Sequence, residues 1–165
     1  MKKLEEHHWV GSNKKSAVAE KELAEKVLSK GSFQEALGLP EASIEQFYDY
    51  AEDLLLEERF EDAAAVLFVL TLLCPDRPSV WISYGINKHH SEEYEMALSA
   101  YEHASILAPE LVEPYVYAAQ CAVRLEKKEV ALKYLKQMEE FSKPFEKDKE
   151  ILDLAKRLKE VLTHG

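Results

Sequence analysis

At 165 residues the chain is long enough for one domain with a substantial core, or for a short repeat array. Lys and Arg total 21 against 31 Asp and Glu, a formal charge of −10, which opposes a nucleic-acid role and would repel an anionic membrane surface. No apolar run reaches the ~18 residues that a bilayer span needs, and the scarcity of Gly (5) and Pro (6) beside abundant Ala, Leu, Glu and Lys favours helix throughout.

Residues 1–15 are expected to be disordered, since "HHWVGS" suggests no packed element; the N-terminus lacks the apolar core of a signal peptide, so a cytoplasmic location is expected. Residues 16–42 read as leader helices. "SAVAEKELAEKVLSKG" predicts a helix closed by Gly31, and "SFQEALGLP" a short helix ended by Gly38 and Pro40. Ser43 with Gln46 has the spacing of a capping box and predicts the start of the next helix. No period-2 run of β-branched residues bounded by turn residues occurs, so no strand is expected.

From residue 43 to 145 the chain repeats itself every 34 residues. Phe47 falls on Trp81 and Tyr115, Ala51 on Gly85 and Ala119, Ala63 on Ala97 and Ala131. Leu67 falls on Tyr101 and Leu135, Leu70 on Ala104 and Met138, and Pro75 on Pro109, with Pro144 one residue past the next step. The aromatic is expected to start a helix, the small residues to let two helices approach, and the proline to end the second helix by forcing its predecessor out of the helical region. Each unit then forms a helix hairpin, and the hairpins stack. Downstream, residues 146–165 carry Ile151, Leu154, Ala155, Leu158, Val161 and Leu162 at helical spacing, the apolar stripe of a helix that caps the last repeat.

The middle copy, "WISYGINKHHSEEYEMALSAYEHASILAP", resembles a tetratricopeptide repeat through Trp81, Gly85, Ala97, Tyr101, Ala104 and Pro109. Lys88 and Glu92 depart from that repeat's usual aromatic and glycine, so an irregular turn is expected near residue 91. The expected fold is all-α: a tetratricopeptide-repeat α-solenoid of three hairpins, with N-terminal leader helices and a C-terminal capping helix. Over roughly residues 33–162 this arrangement resembles the class II chaperones of bacterial type III secretion, which serve translocator proteins. The similarity is carried by "SIEQFYDYAEDLLLEERFEDAAAVL", "WISYGINKHHSEEYEMALSAY" and "EPYVYAAQCAVRLEKKEVAL", the last with Ala118, Ala119, Gln120 and Cys121.

In a tetratricopeptide stack the first helix of each repeat lines the concave face. That register implies Tyr48, Glu52 and Leu55, then Ile82, Ile86 and His89, then Val116, Gln120 and Val123 as groove residues, although some of them could simply pack within the array. Six of the nine are apolar and none is Lys or Arg, which favours an extended apolar segment over an acidic tail. Three buried anchors at about 1.5–3 kcal/mol each, offset by ordering of the peptide, predict affinity on the order of micromolar. The resemblance implies the ligand: an apolar, proline-bearing segment of a secreted translocator or another type III secretion substrate, held in the bacterial cytoplasm without nucleotide. It also implies a homodimer through the leader, with Leu23, Val27, Leu28, Phe33, Leu37 and Leu39 as candidates. Packing on the first repeat is an equal alternative for these six. No nucleic acid, cofactor or direct membrane insertion is expected. A generic scaffold joining soluble proteins is the alternative function.

Enzymatic chemistry finds no support. The chain lacks GxxxxGK[ST], GxSxG, HExxH and a paired CxxC, so no catalytic residue is expected. His89 and His90 point ~100° apart on a helix and cannot hold one ion from one face. They supply too few ligands for a tetrahedral zinc, so no metal site is expected. His89 is expected to face the groove and His90 to be an ordinary neighbour. Cys74 and Cys121 are expected to be buried, reduced thiols.

Overall fold

A computed structural model describes residues 13–145 and 148–164, with side chains from residue 21 onward. Among these residues there are nine α-helices and no strand: α1 (Asn13–Lys30), α2 (Phe33–Leu37), α3 (Glu41–Leu56), α4 (Phe60–Leu73), α5 (Pro78–His90), α6 (Tyr94–Leu107), α7 (Glu113–Arg124), α8 (Lys128–Phe141) and α9 (Lys149–His164). The fold is the expected tetratricopeptide-repeat solenoid. The chain divides into two compact units, one ending at Pro40 and one beginning at Glu41.

The first unit contains α1 and α2. Helix α1 begins at Asn13, three residues inside the stretch expected to be disordered; residues 1–12 lie outside the described residues. It closes at Gly31, whose φ of 90° only glycine adopts without strain. Helix α2 is capped at both ends. The Ser32 hydroxyl accepts from the Glu35 amide at 3.2 Å. At the other end Gly38, at φ 68°, sends its amide to Glu35 O while the Leu39 amide reaches Gln34 O, the Schellman pattern. Helix α2 buries no side chain.

The second unit holds the hairpins α3–α4, α5–α6 and α7–α8, with α9 packed on α7 and α8. Helix α3 begins at Glu41, directly after Pro40, so Ser43 lies inside its first turn and does not cap it. Proline forces Leu39 into an extended conformation and leaves the helix free to start at the next residue. The repeated small positions, Ala51, Gly85 and Ala119 on the first helices and Ala63, Ala97 and Ala131 on the second, are all buried. So are Leu67, Tyr101 and Leu135 opposite them.

The repeated aromatic does something other than start a helix. Pro78 and Pro114 stand in the first turns of α5 and α7, where a missing amide costs nothing. Trp81 and Tyr115, one turn in, reach back instead. Trp81 Nε1 donates to Pro75 O at 2.7 Å and Tyr115 Oη to Pro109 O at 3.1 Å. Each pins its helix to the proline that ended the preceding one. Phe47 has no polar atom and, in the first repeat, no preceding hairpin. It is half exposed and lines an apolar hollow of about 300 Å³ with Ala65, Val66, Val69, Leu70 and Leu73.

The turns inside the hairpins are regular, contrary to the irregularity expected near residue 91. Glu58, Glu92 and Glu126, spaced by one repeat, take φ of 58°, 60° and 59°. Their amides donate to Leu55 O, His89 O and Val123 O, and the next amides to Leu54 O, Lys88 O and Ala122 O. The backbone bonds of a Schellman turn hold the left-handed conformation even where glycine is absent. Inside the stack Asn87 is fully buried and sends Nδ2 to Phe60 O at 2.7 Å, fastening α5 to α4. In α9, Ala155 and Leu162 are buried, and Ile151, Leu154 and Leu158 pack on the core. Val161 is 71% exposed and leaves the expected stripe, because it falls at the stripe's outer edge, off the face that meets α7 and α8.

Candidate functional site

Helices α3, α5 and α7 supply the nine positions expected to line the groove, and the structure treats them unequally. Tyr48 and Glu52 are engaged with the neighbouring helix. Tyr48 Oη lies 3.0 Å from Ser83 Oγ, which lies 3.4 Å from Glu52 Oε1. Burial is the main reason the Tyr48 phenol is held above its ordinary range. Leu55 and Ile82 are half-buried and line none of the cavities described here. Val116 is completely buried in the core, a correction to its expected place on the groove wall. The reason is topological: α7 is packed by α5, α6, α8 and α9 together, and a helix so surrounded has little face left to expose.

Ile86, His89, Gln120 and Val123 do come together, in two cavities that share His89, His90 and Gln120. One, of about 290 Å³, is lined by Ile86, Tyr101 and Tyr117 beside the shared three. The Tyr101 and Tyr117 rings sit 5.4 Å apart at a tilt of 44°, giving the cavity an aromatic floor. The other, of about 490 Å³, is more polar. Glu92 borders it from the turn after α5, Tyr94 from α6, Val123 and Arg124 from α7, and Leu158 from α9.

Tyr94, Arg124 and Tyr117 escaped the sequence reading, and Tyr101 and Leu158 were read only as packing. His90, taken as an ordinary neighbour, borders both cavities and stacks on Phe60 at 4.8 Å with the rings 8° from parallel. The sequence signal that pointed this way is the cluster of aromatics at 84, 94, 101, 115 and 117, mixed with histidines on adjoining helices.

The polar groups of the site are arranged around His89. Its ring meets Tyr94 edge-on at 5.4 Å, and its Nδ1 lies 3.6 Å from Cys121 Sγ. Desolvation, followed by the nearby His90 and the positive charge of Arg124, lowers the His89 pKa below the usual 6.5, so the ring is neutral at pH 7. Arg124 donates from Nη2 to Tyr94 Oη at 2.7 Å and lies 5.0 Å over the same ring. Burial raises the Cys74 thiol to about 11 and the Cys121 thiol to about 12, and both are free and protonated. Among the described residues no group of three His, Cys, Asp or Glu side chains could hold a metal ion. Among the same residues no helix is long and apolar enough to cross a membrane.

No protein-family profile and no curated protein sequence matches the chain. Solved structures do. The Yersinia enterocolitica type III secretion chaperone SycD, in complex with a peptide of the translocator YopD, superposes with a TM-score of 0.71 at 18% identity, over 75% of this chain and 95% of SycD. PcrH of Pseudomonas aeruginosa, in complex with the chaperone binding region of PopD, gives 0.72 at 19% identity, over 76% and 95%. The CopN–Scc3 complex gives 0.69 at 25% identity, over 74% of this chain and 75% of its counterpart. The class defined by fold is therefore the helical-repeat solenoid on which the SycD and PcrH chaperones are built.

Proposed function

We propose that the chain is a chaperone of bacterial type III secretion that holds an extended apolar segment of a secreted translocator in its groove, in the bacterial cytoplasm and without nucleotide or catalysis. The observation behind this reading is the cavity walled by Ile86, Tyr101 and Tyr117, on a fold that SycD and PcrH share and in which both are seen with translocator segments. The mechanism is sequestration. An apolar anchor leaves water for the aromatic cavity, a gain of about 1.5–3 kcal/mol per fully buried side chain, and the client's membrane-seeking segments stay out of aggregates until secretion.

Co-expression with a secreted protein bearing two long apolar segments, encoded beside this chain, tests the reading. The wild type is expected to keep that client soluble. Replacing both Ile86 and Tyr117 with serine is expected to reduce the soluble client at least about fivefold, since the loss of two buried anchors dominates such interfaces, while the far-ultraviolet circular dichroism stays helical. Full rescue by the double variant would remove the groove assignment. No rescue by the wild type would remove the chaperone reading and favour a scaffold for soluble partners.

The leader is proposed to join two copies. Among the six candidates, Leu28, Phe33 and Leu37 are exposed, Leu28 by 86%, while Leu23, Val27 and Leu39 are half-buried. Exposed leucines of this size gain by burial between chains. Sedimentation velocity is expected to show a dimer that Leu28→Glu with Leu37→Glu converts to monomer. An unchanged sedimentation coefficient would exclude the leader as the interface.

A further inference from the structure

The nine groove positions expected from the sequence contain no cation, which favoured a purely apolar ligand. The fold brings one in. Arg124 borders the polar cavity that shares His89, His90 and Gln120 with the aromatic one, so a cation stands beside the cavity next to the one walled by Ile86 and Tyr117. Resting on the proposed chaperone function, we propose that this polar cavity is a subsite for a carboxylate side chain of the client segment, next to the segment's apolar anchor.

The donor inventory supports this. Arg59 is neutralised by Glu57 and Asp62, and Arg77 by Glu41 and Glu45; Arg157 on α9 makes no ion pair among the described residues but borders neither cavity. Arg124 makes no ion pair with any described carboxylate; its one hydrogen bond among the described residues goes to the Tyr94 hydroxyl. A guanidinium offers five N–H donors in a planar fork suited to a carboxylate, so most of its capacity is unspent. The cation–π contact with the Tyr94 ring, together with the hydrogen bond to its hydroxyl, fixes its direction. The half-buried Gln120 amide makes no hydrogen bond within the described residues. His89 Nδ1 lies 3.6 Å from Cys121 Sγ, and in the tautomer that accepts from the thiol the other ring nitrogen, Nε2, carries the proton. The Arg124 guanidinium and the Gln120 amide are thus two donor groups that border one cavity.

Glu92 on the rim is the opposing charge. It repels a carboxylate at the turn and leaves Arg124 as the place where one is stabilised. In a chain of net charge −10 the surrounding field disfavours acidic ligands elsewhere. Preference for an acidic residue is therefore tied to a single register of the bound segment.

A panel of short fluorescein-labelled peptides tests the subsite by fluorescence anisotropy. The peptides share paired leucine anchors and carry Glu, Gln or Lys at one flanking position, scanned along the sequence. At one position the Glu peptide is expected to bind wild type about three- to tenfold tighter than the Gln peptide, the range of a solvent-accessible charge-assisted contact. The Lys peptide is expected to bind more weakly than either. The Glu-over-Gln ratio is expected to fall to about one in Arg124→Gln, to rise in Glu92→Gln, and to shrink with added salt. Equal binding of Glu and Gln peptides at every position, with both weakened by Ile86→Ser, would overturn the carboxylate subsite and leave the apolar groove standing. A ratio that survives Arg124→Gln would also overturn it. Failure of every peptide to bind wild type would overturn the subsite and the groove together.

Discussion

Replacing Gly85 with valine is expected to destabilise the second unit by about 3 kcal/mol, the upper part of the range for overpacking a filled core. A Cβ at position 85 would lie 2.5 Å from Tyr101 Cε1, and 2.8 and 2.9 Å from the next two ring atoms. No side chain tolerates such distances. Tyr101 is 1% exposed and packed against Tyr117, so the ring can yield only by turning into the cavity that it helps to wall. The neighbouring repeats show the compensating pair: Ala51 stands with Leu67 and Ala119 with Leu135, whereas Gly85 stands with Tyr101. The residues at these two repeat positions have nearly the same total volume in all three copies. Equilibrium urea unfolding followed by circular dichroism measures the cost. The double change Gly85→Ala with Tyr101→Leu, which writes the pair of the flanking repeats into the middle one, is expected to cost less than the sum of its two single changes, since contacting residues are not additive. A valine variant within about 0.5 kcal/mol of wild type, the usual scatter of surface substitutions, would show that the Gly85–Tyr101 contact does not govern packing here.

The triple change Glu58→Gly, Glu92→Gly and Glu126→Gly is expected to stabilise the protein by about 2 kcal/mol and to raise Tm by roughly 4–8 °C. Each glutamate occupies the left-handed region at φ near 60°, which costs a residue with a Cβ about 1–2 kcal/mol. Glycine removes that cost and returns part of it as unfolded-chain entropy, about 0.5–1 kcal/mol. All three side chains are exposed and none makes a hydrogen bond or ion pair within the described residues. The sites are one repeat apart with no shared partner, so their effects add. The change also removes three negative charges from an acidic chain. A Glu→Gln triple variant separates the two causes, since it relieves repulsion and keeps the backbone strain. Calorimetry showing equal gains for the glutamine and glycine triples would assign the effect to charge and refute the backbone account.

Much of the fold could be read from the chain because a repeat states its packing three times. The 34-residue recurrence of Ala63, Ala97 and Ala131 marks positions with no room for a longer side chain, and all three are fully buried. Pro75 and Pro109 end helices as their chemistry requires, with α4 and α6 stopping two residues earlier. Gly38 closes α2 for an equally local reason. Where the reading erred locally, a competing local rule won. Pro40 set the start of α3 ahead of the Ser43 capping signal. Schellman hydrogen bonds imposed one turn geometry on glutamates that lack glycine's freedom.

The groove was less legible, because its walls belong to several helices at once. Repeat positions assign a face to each first helix as though every repeat had the same neighbours. They do not: α7 is enclosed by four helices, and Val116 disappears into the core. His90, Tyr94, Arg124 and Leu158 meet at one cavity from α5, α6, α7 and α9, a convergence that no single-helix periodicity encodes. By itself the sequence determined the repeat helices, the prolines and glycines that end several of them and the 34-residue register, since these depend on side-chain size, proline and capping within one repeat. Only the tertiary structure decided which residues border the cavities and that Arg124 stands among them, since a cavity is the space left between packed helices and depends on every neighbour that packs.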